Sequence, residues 1–343
     1  MSGLESISVA VVGATGAVGE AMLDILADRI GAGDTVHAVA SERSVGVQVS
    51  CGNRSLDVEV LEDFDFSGVD FALFSAGGSI SAVHAPRAAE AGSIVIDNTS
   101  EFRYRDDIPL VVPEVNGDLL DAVEPGCIIA NPNCSTIQMV VALAPIHRAA
   151  GIDRINVATY QSVSGAGRDA MEELARQTAD RLNMKEVKPQ AFKQPIAFNV
   201  LPEIDSMQDN GYTREEMKLH WETRKILGDD SIMVNATAVR VPVFFGHSEA
   251  VHFETRDEIS IGEITRLLEE APGVVIVAGQ GGFATAVTHA AGKDSVYVSR
   301  LRRDLSHPRG VDMWVVADNV RKGAALNAIQ IMDRIRGRSG GDA

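Results

Sequence analysis

The chain has 343 residues, enough for two domains with separate cores, and its 45% apolar and 23% charged composition is that of an ordinary globular protein. A formal net charge of −17 excludes a basic surface for nonspecific nucleic-acid binding. No apolar run is long enough to span a bilayer, and "MSGLESISVAVVG" enters a strand without a basic region or cleavage site, so neither a membrane span nor a secretion signal is expected.

Residues 7–12, "ISVAVV", predict a buried strand, followed by a glycine-rich turn and a helix over 17–29. Residues 35–40, 69–76 and 93–100 predict further strands, with a helix over 79–91 between the last two. Strands alternating with helices predict a parallel, doubly wound sheet. "LVVPEVN" and "CIIANPN" then lead to a turn before Cys134, a helix over about 135–149, the strand "RINVATYQSVS" and a helix through residue 181. Residues 185–211 contain Pro and Asn with little periodicity and predict an extended excursion. "TREEMKLHWETRKIL" predicts a helix opened by a capping box, Thr213 with Glu216. Strands "SIMVNATAVRVPVF" and "HSEAVHFET", a helix near 261–270, strands "SVYVSRLRR" and "GVDMWVVAD", and a final helix "VRKGAALNAIQIMDRI" complete the chain, with no internal repeat.

Three cysteines, Cys51, Cys127 and Cys134, are too few for a disulfide framework or a zinc cluster, and the eight histidines form no HExxH. No metal is expected, and a reducing cytoplasm is the expected setting. Gly13, Gly16 and Gly19 in "VVGATGAVGE" follow a predicted strand and open a predicted helix. Backbone N–H groups at such a helix start can meet a dinucleotide pyrophosphate, although the same glycines would also serve a tight structural turn. At the end of the next strand, "AVASERSVG", Ser41, Arg43 and Ser44 can hold a ribose 2′-phosphate, which favours NADP; Glu42 would repel it if turned inward.

In "NPNCSTIQMV" the Asn-Pro-Asn turn puts Cys134 at the start of a helix, where the dipole favours a thiolate. An unpaired cysteine is more often an apolar filler, the reading given to Cys51 and Cys127, and spacing alone leaves Cys134 balanced between the two. A nucleophilic thiol needs a base, and His247, in a Gly-containing turn after "PVFFG", is the best candidate. Arg240 sits inside an apolar strand, where a guanidinium needs an anionic partner, either a structural or a substrate carboxylate.

Taken in order, "GATGAVG", "ASxRSxG", "NPNCST", "YQSVSGAG", "EEMK", "RVPVFFGHSE" and "DNVRKGAALNA" resemble the aspartate-semialdehyde dehydrogenase family along nearly the whole chain. The resemblance implies an α/β fold, an N-terminal Rossmann-like doubly wound sheet with an inserted α+β catalytic and dimerisation domain. The NADP-binding domain would comprise residues 1–133 and 319–343, the inserted domain 134–318, with the active site at their junction. The implied reaction is reductive dephosphorylation of L-aspartyl 4-phosphate to L-aspartate 4-semialdehyde, in the biosynthesis of lysine, threonine and methionine.

By the same resemblance Cys134 forms a thioester, His247 is the general acid/base and Gln161 orients the intermediate. Arg240 clamps the substrate α-carboxylate, Glu215 receives its amino group, and Arg103, Asn133 and Lys218 contact phosphate. On helical spacing alone, Glu215 and Lys218 read instead as a solvated ion pair. The implied cofactor contacts are Gly13, Thr15, Gly16, Ala17, Val18 and Gly19 in the first loop, and Ser41, Arg43 and Ser44 after the second strand. Ser75, Gly77, Gly165 and Asn319 complete that set. The implied partners are the small substrate, inorganic phosphate and further copies of the chain, as a homodimer or tetramer, with no nucleic acid and no membrane. Two related chemistries fit the sequence less well. An N-acetyl-glutamyl-phosphate reductase would be expected to read closer to "NPGCY" at the nucleophile, and the "SCTTN" of glyceraldehyde-3-phosphate dehydrogenase is absent. A noncatalytic NADP-binding paralogue is a third reading, opposed by the intact set of Cys134, Gln161, Arg240 and His247.

Overall fold

The computed structural model describes residues 6–278 and 282–337. The chain forms two compact units, one of residues 1–133 with 324–343, the other of residues 134–323.

The first unit opens with β1 (Ser8–Val12), α1 (Ala17–Ala27) and β2 (Thr35–Ala40). The hairpin β3 (Gln48–Cys51) and β4 (Arg54–Val60) follows, then β5 (Phe71–Phe74), α2 (Gly78–Glu90), β6 (Ile94–Asp97), the short α3 (Pro113–Asn116) and β7 (Ile128–Ala130). The sheet order is β3-β4-β2-β1-β5-β6-β7, parallel except for the antiparallel β3–β4 pair. From β1 the chain runs to β2 on one side and later to β5 on the other. This reversal opens a crevice beyond the carboxyl end of β1, where α/β sheets take their ligands. The continuous apolar runs of β1, β5 and β6 fit strands covered on both faces, and each is buried almost throughout. The final helix, Leu326–Ile335, returns to this unit, and Leu326, Ile329 and Met332 share one core with Val9, Leu23 and Ile96.

In the second unit α4 (Cys134–Ala150) is buried around almost its whole circumference, which explains a segment apolar on every face. It packs on a six-stranded mixed sheet ordered β11-β12-β13-β10-β8-β9. These strands are β8 (Ile152–Gln161), β9 (Met233–Arg240), β10 (His247–Thr255), β11 (Val274–Ile276), β12 (Val296–Arg303) and β13 (Gly310–Ala317). The remaining helices are α5 (Arg168–Leu182), α6 (Arg214–Leu227) and α7 (Ile261–Glu269), so the final helix is α8. The expected capping box is present: Thr213 Oγ1 accepts from Glu216 N, and Glu216 Oε2 accepts from Thr213 N.

The 185–211 excursion is tied down by α5 of its own unit. Gln177 Oε1 accepts from the Ile196 and Ala197 N–H groups at 2.9 and 3.1 Å, and the Glu173 carboxylate accepts from those of Gln190 and Ala191. Farther on, Leu201 exchanges both backbone hydrogen bonds with Arg240, the last residue of β9. Among the described residues no helix is long and apolar enough to cross a membrane.

Candidate active site

In the first unit, Gly13 takes φ +93°, donates to the Val39 carbonyl at 2.8 Å, and leaves no room for a side chain, since a Cβ there would lie 2.9 Å from Ser75 Oγ. A Cβ on Gly19 would lie 2.1 Å from the Gly13 oxygen, so a glycine lets the first turn of α1 close on the loop. Gly16 caps α1 without a side-chain hydrogen bond, leaving the N–H groups of its first turn, Ala17 and Val18 included, without a side-chain cap. Gly77, at φ +98°, starts α2 in the same uncapped way. Thr15 Oγ1 lies 3.2 Å from Ser44 Oγ, so the glycine loop meets the turn after β2. There Ser41, Glu42 and Arg43 are exposed. Close-approach glycines, two uncapped helix starts and paired hydroxyls suit a phosphate-bearing dinucleotide. Arg103 is buried in this unit and donates from Nη2 to the Asn98 carbonyl at 2.7 Å; Asn133, also buried, is its last residue before α4.

Cys134 is the first residue of α4 and half-buried. Gly323 packs against it: a Cβ there would lie 2.6 Å from that of Cys134. Gly323 lies in a wide π-type turn, residues Arg321–Ala325, ahead of α8. The other two thiols fit the filler reading, for Cys51 is buried, and burial pushes the Cys127 thiol up to about 11.

The second unit also gathers a set of buried polar side chains, of which Arg240 senses the charge of Cys134 at this helix start. Gln161, at the end of β8, donates from Nε2 to Glu215 Oε1 at 3.0 Å and accepts from Thr159 Oγ1 at 3.1 Å. Lys218 bridges Glu215 Oε2 at 2.8 Å and Asp205 Oδ2 at 2.9 Å. Glu215 is 5% exposed and joined to Gln161, so this is no solvated helix pair. Burial pushes the Lys218 ammonium down, but Glu215 and Asp205 outweigh it and hold its pKa above the usual lysine value. Arg240 is 6% exposed and donates from Nη1 to the Ser162 carbonyl at 2.7 Å. Burial pushes the guanidinium down, and Glu215 and Cys134 pull the other way. His247, fully buried, is pushed down to about 3 by burial and then by Arg240, with Glu215 and the Gly246 backbone opposing. A Cβ on Gly165 would lie 3.0 Å from Arg240 Nη1 and 3.3 Å from His247 Nε2, so this glycine lets both approach. Asn319 Oδ1 accepts from Gly246 N at 2.9 Å and from the Ser162 and Ser164 hydroxyls, each at 3.1 Å.

Four positions that touch the candidate site are not legible in the sequence. Gly323 is a glycine inside a helical pattern, a signal of close packing. Ser162 and Ser164 alternate in "QSVSG" between a strand end and a helix start, a polar pattern that marks a turn without naming a partner. Asp205 carries no local signal, because its partner lies 13 residues on.

The class that this fold and site define is that of the semialdehyde dehydrogenases. The family model described as "Semialdehyde dehydrogenase, NAD binding domain" matches residues 8–123, and "Semialdehyde dehydrogenase, dimerisation domain" matches residues 143–322. An aspartate-semialdehyde dehydrogenase of Legionella pneumophila is 56% identical over 330 residues, covering 95% of each chain. An aspartate-semialdehyde dehydrogenase 2 of Vibrio cholerae is 56% identical over 329 residues, covering 96% of this chain and 97% of that one. The crystal structure of aspartate semialdehyde dehydrogenase II complexed with ASA from Vibrio cholerae superimposes with a TM-score of 0.93 at 55% identity, covering 96% of this chain and 98% of that one. The chain belongs to the aspartate-semialdehyde dehydrogenase family, oxidoreductases with a nicotinamide-dinucleotide domain.

Proposed function

We propose that the chain catalyses the reversible, NADP-dependent interconversion of L-aspartyl 4-phosphate with L-aspartate 4-semialdehyde and phosphate through a thioester on Cys134, on the route to lysine, threonine and methionine. The observation that carries this reading is Arg240. It is buried, no carboxylate of the described residues lies within ion-pair distance, and of the charges that act on it Glu215 is the larger and Cys134, at the start of α4, the smaller. A guanidinium so placed suits the α-carboxylate of an amino-acid substrate, gripped through two parallel N–H groups.

The Cys134 sulfur bonds the substrate carbonyl carbon, and in the biosynthetic direction the phosphate leaves with the C–O bonding pair. The nicotinamide that the first unit's loop residues would hold would supply the hydride to the thioester carbon. The carbonyl then re-forms as the C–S bond breaks, its electron pair returning to Cys134 and the aldehyde leaving, and the opposite direction reverses each step. Gln161, held between Thr159 and Glu215, orients the bound carbonyl, and Glu215 takes the substrate amino group. His247 serves the reacting atoms through Nε2, the ring nitrogen without a hydrogen-bond partner among the described residues. Lys218, Arg103 and Asn133 are the proposed phosphate contacts. Gly13, Thr15, Gly16, Ala17, Val18 and Gly19 would hold the dinucleotide pyrophosphate, and Ser41, Arg43 and Ser44 the 2′-phosphate. Ser75 and Gly77, with Gly165 and Asn319, are proposed for the rest of the cofactor.

A homodimer, or a tetramer built from it, is part of the reading. Its support is the family description of residues 143–322 and the sheet surface carrying Tyr160, 37% exposed, whose ring packs 5.5 Å from that of Trp314. A second copy of the chain is the proposed cover for that surface, and Tyr160→Glu should then yield a monomer in light scattering. A cytoplasmic setting is supported by three free cysteines.

The deciding assay is NADP reduction by L-aspartate 4-semialdehyde with and without phosphate, beside N-acetylglutamate semialdehyde and with NAD as control. Phosphate-dependent turnover of the first aldehyde with NADP is expected. Turnover of the acetylated aldehyde alone would transfer the chemistry to another amino acid, and turnover of neither would favour a noncatalytic paralogue.

A further inference from the structure

On its Nδ1 side His247 meets one donor of fixed direction, while the Gly246 backbone favours a charged ring. The Ser162 backbone N–H, whose hydrogen has no freedom to turn away, points at His247 Nδ1 from 3.1 Å. Ser162 Oγ lies at the same 3.1 Å distance. Behind it stand Ser164 and Asn319, and the backbone sets the orientation of the Asn319 amide. The Gly246 N–H donates to Asn319 Oδ1 at 2.9 Å, which fixes the orientation of that amide. Its Nδ2 therefore faces Ser164 Oγ, at 3.0 Å, and Ser164 Oγ lies 3.0 Å from Ser162 Oγ. Each hydroxyl has one hydrogen and also lies 3.1 Å from Asn319 Oδ1. Hydrogens therefore run from Asn319 to Ser164, from Ser164 to Ser162 and from Ser162 to Nδ1 in one of two arrangements, while the Ser162 N–H donates to Nδ1 in both. A neutral imidazole whose Nδ1 accepts carries its proton on Nε2. Among the described residues Nε2 has no hydrogen-bond partner, and it lies on the side of the ring that a side chain at Gly165 would crowd, beside Arg240.

We propose that Ser162, Ser164 and Asn319 form a positioning chain that keeps His247 neutral with its proton on Nε2, so that the imidazole serves as a hydrogen-bond donor to negative charge on the reacting sulfur and oxygen. This role rests on the aldehyde reading above; the state of the ring does not. It is narrower than the proton shuttling that the family resemblance implies. An imidazolium would turn an Nδ1–H against the Ser162 N–H, which cannot turn away, so the ring resists a second proton. The charged groups around it agree on balance, for the Arg240 guanidinium from β9 opposes a cationic ring and Glu215 from α6 favours one only after burial and Arg240 have acted. Two residues along the same strand, Glu249 is fully buried, and burial raises its pKa well above the usual carboxylate value, which favours a neutral carboxyl that offers the ring no anion. A neutral imidazole that donates to a developing oxyanion is an established electrostatic device in enzymes.

The test is ¹⁵N NMR of histidine-labelled protein, with the His247 signals assigned by their loss in His247→Gln. The expected result is an unprotonated Nδ1 and a protonated Nε2 that stay so across neutral pH. A protonated Nδ1, or a ring that titrates near neutrality, would overturn the proposal. A second arm uses Asn319→Leu, in which kcat should fall roughly tenfold or more beside any rise in KM for the nicotinamide cofactor, of which Asn319 is itself a proposed contact. Ser164→Ala, a smaller cut in the same chain, should lower kcat a few-fold in the same manner. A raised cofactor KM with unchanged kcat in Asn319→Leu would make Asn319 a cofactor contact alone and end the positioning role. Failure of the aldehyde reading would appear separately, as wild-type protein without turnover.

Discussion

In the first unit the candidate site is built from backbone, with Gly13 and Gly19 admitting contacts that no other residue would allow and two helix starts left without side-chain caps. In the second it is built from side chains, with Cys134, Gln161, Glu215, Arg240, His247 and Asn319 drawn from positions spread over nearly 190 residues and set by buried hydrogen bonds. A backbone site tolerates many side chains but no added Cβ at the close contacts. A side-chain site tolerates backbone variation but no change of charge or donor. The two should therefore fail in different ways.

The largest expected effect separates chemistry from binding. Cys134→Ala should lower kcat by about 10⁴-fold or more while NADP binding, measured by fluorescence titration, is retained. Activity near the wild-type level would remove the covalent step. Gly19→Ala should do the reverse. Its methyl group would meet the Gly13 carbonyl at 2.1 Å, so a loss of about 3 kcal/mol in urea unfolding and of cofactor affinity is expected, with Cys134 alkylation retained. Wild-type cofactor affinity in that variant would mean that the loop does not carry the dinucleotide. Arg240→Lys keeps the charge but loses the fork, and KM for the aldehyde should rise roughly 30-fold, about 2 kcal/mol. An unchanged KM would place the carboxylate clamp elsewhere.

A pH effect comes next. Burial holds the folded His247 pKa down at about 3, against about 6.5 for the unfolded chain. Between those values the unfolded chain binds a proton that the folded one refuses, so stability is lost as pH falls below about 6.5. From about pH 7.5 to about pH 5, wild type should lose roughly 2 kcal/mol more than His247→Gln in chemical denaturation. Equal losses would mean that the ring is open to protonation in the folded state. The smallest expected effect is that of Arg43→Ala, a roughly tenfold rise in KM for NADP and none for NAD, because Arg43 is exposed and one contact among several. Equal change with both cofactors would end the 2′-phosphate assignment.

The two regions were also unequally legible. The strand, glycine turn and helix of the first unit follow from runs of neighbours, and β2 occupies Thr35–Ala40 as its β-branched pattern predicts. The β3–β4 hairpin was missed although its signal is local: Gly52 and Asn53 make a two-residue turn between alternating runs, with Gly52 at φ +58°. In the second unit the capping box and the strand His247–Thr255 were readable for the same reason. The start of α4 at Cys134 was readable too, since an Asn-Pro-Asn turn before an apolar run is a contiguous pattern.

What the amino-acid order determined by itself was therefore the chain's local conformation, the family it resembles, and the placing of a cysteine at a helix start. The tertiary structure alone decided which side chains meet. It turned the excursion so that Asp205 reaches Lys218, set Gly323 against Cys134, and aimed the Ser162 N–H at His247 Nδ1 across 85 residues of sequence. Turns and periodicities depend on backbone sterics and burial over a few neighbours. Contacts of the second kind depend on how helices and a sheet pack at long range, which no local pattern encodes.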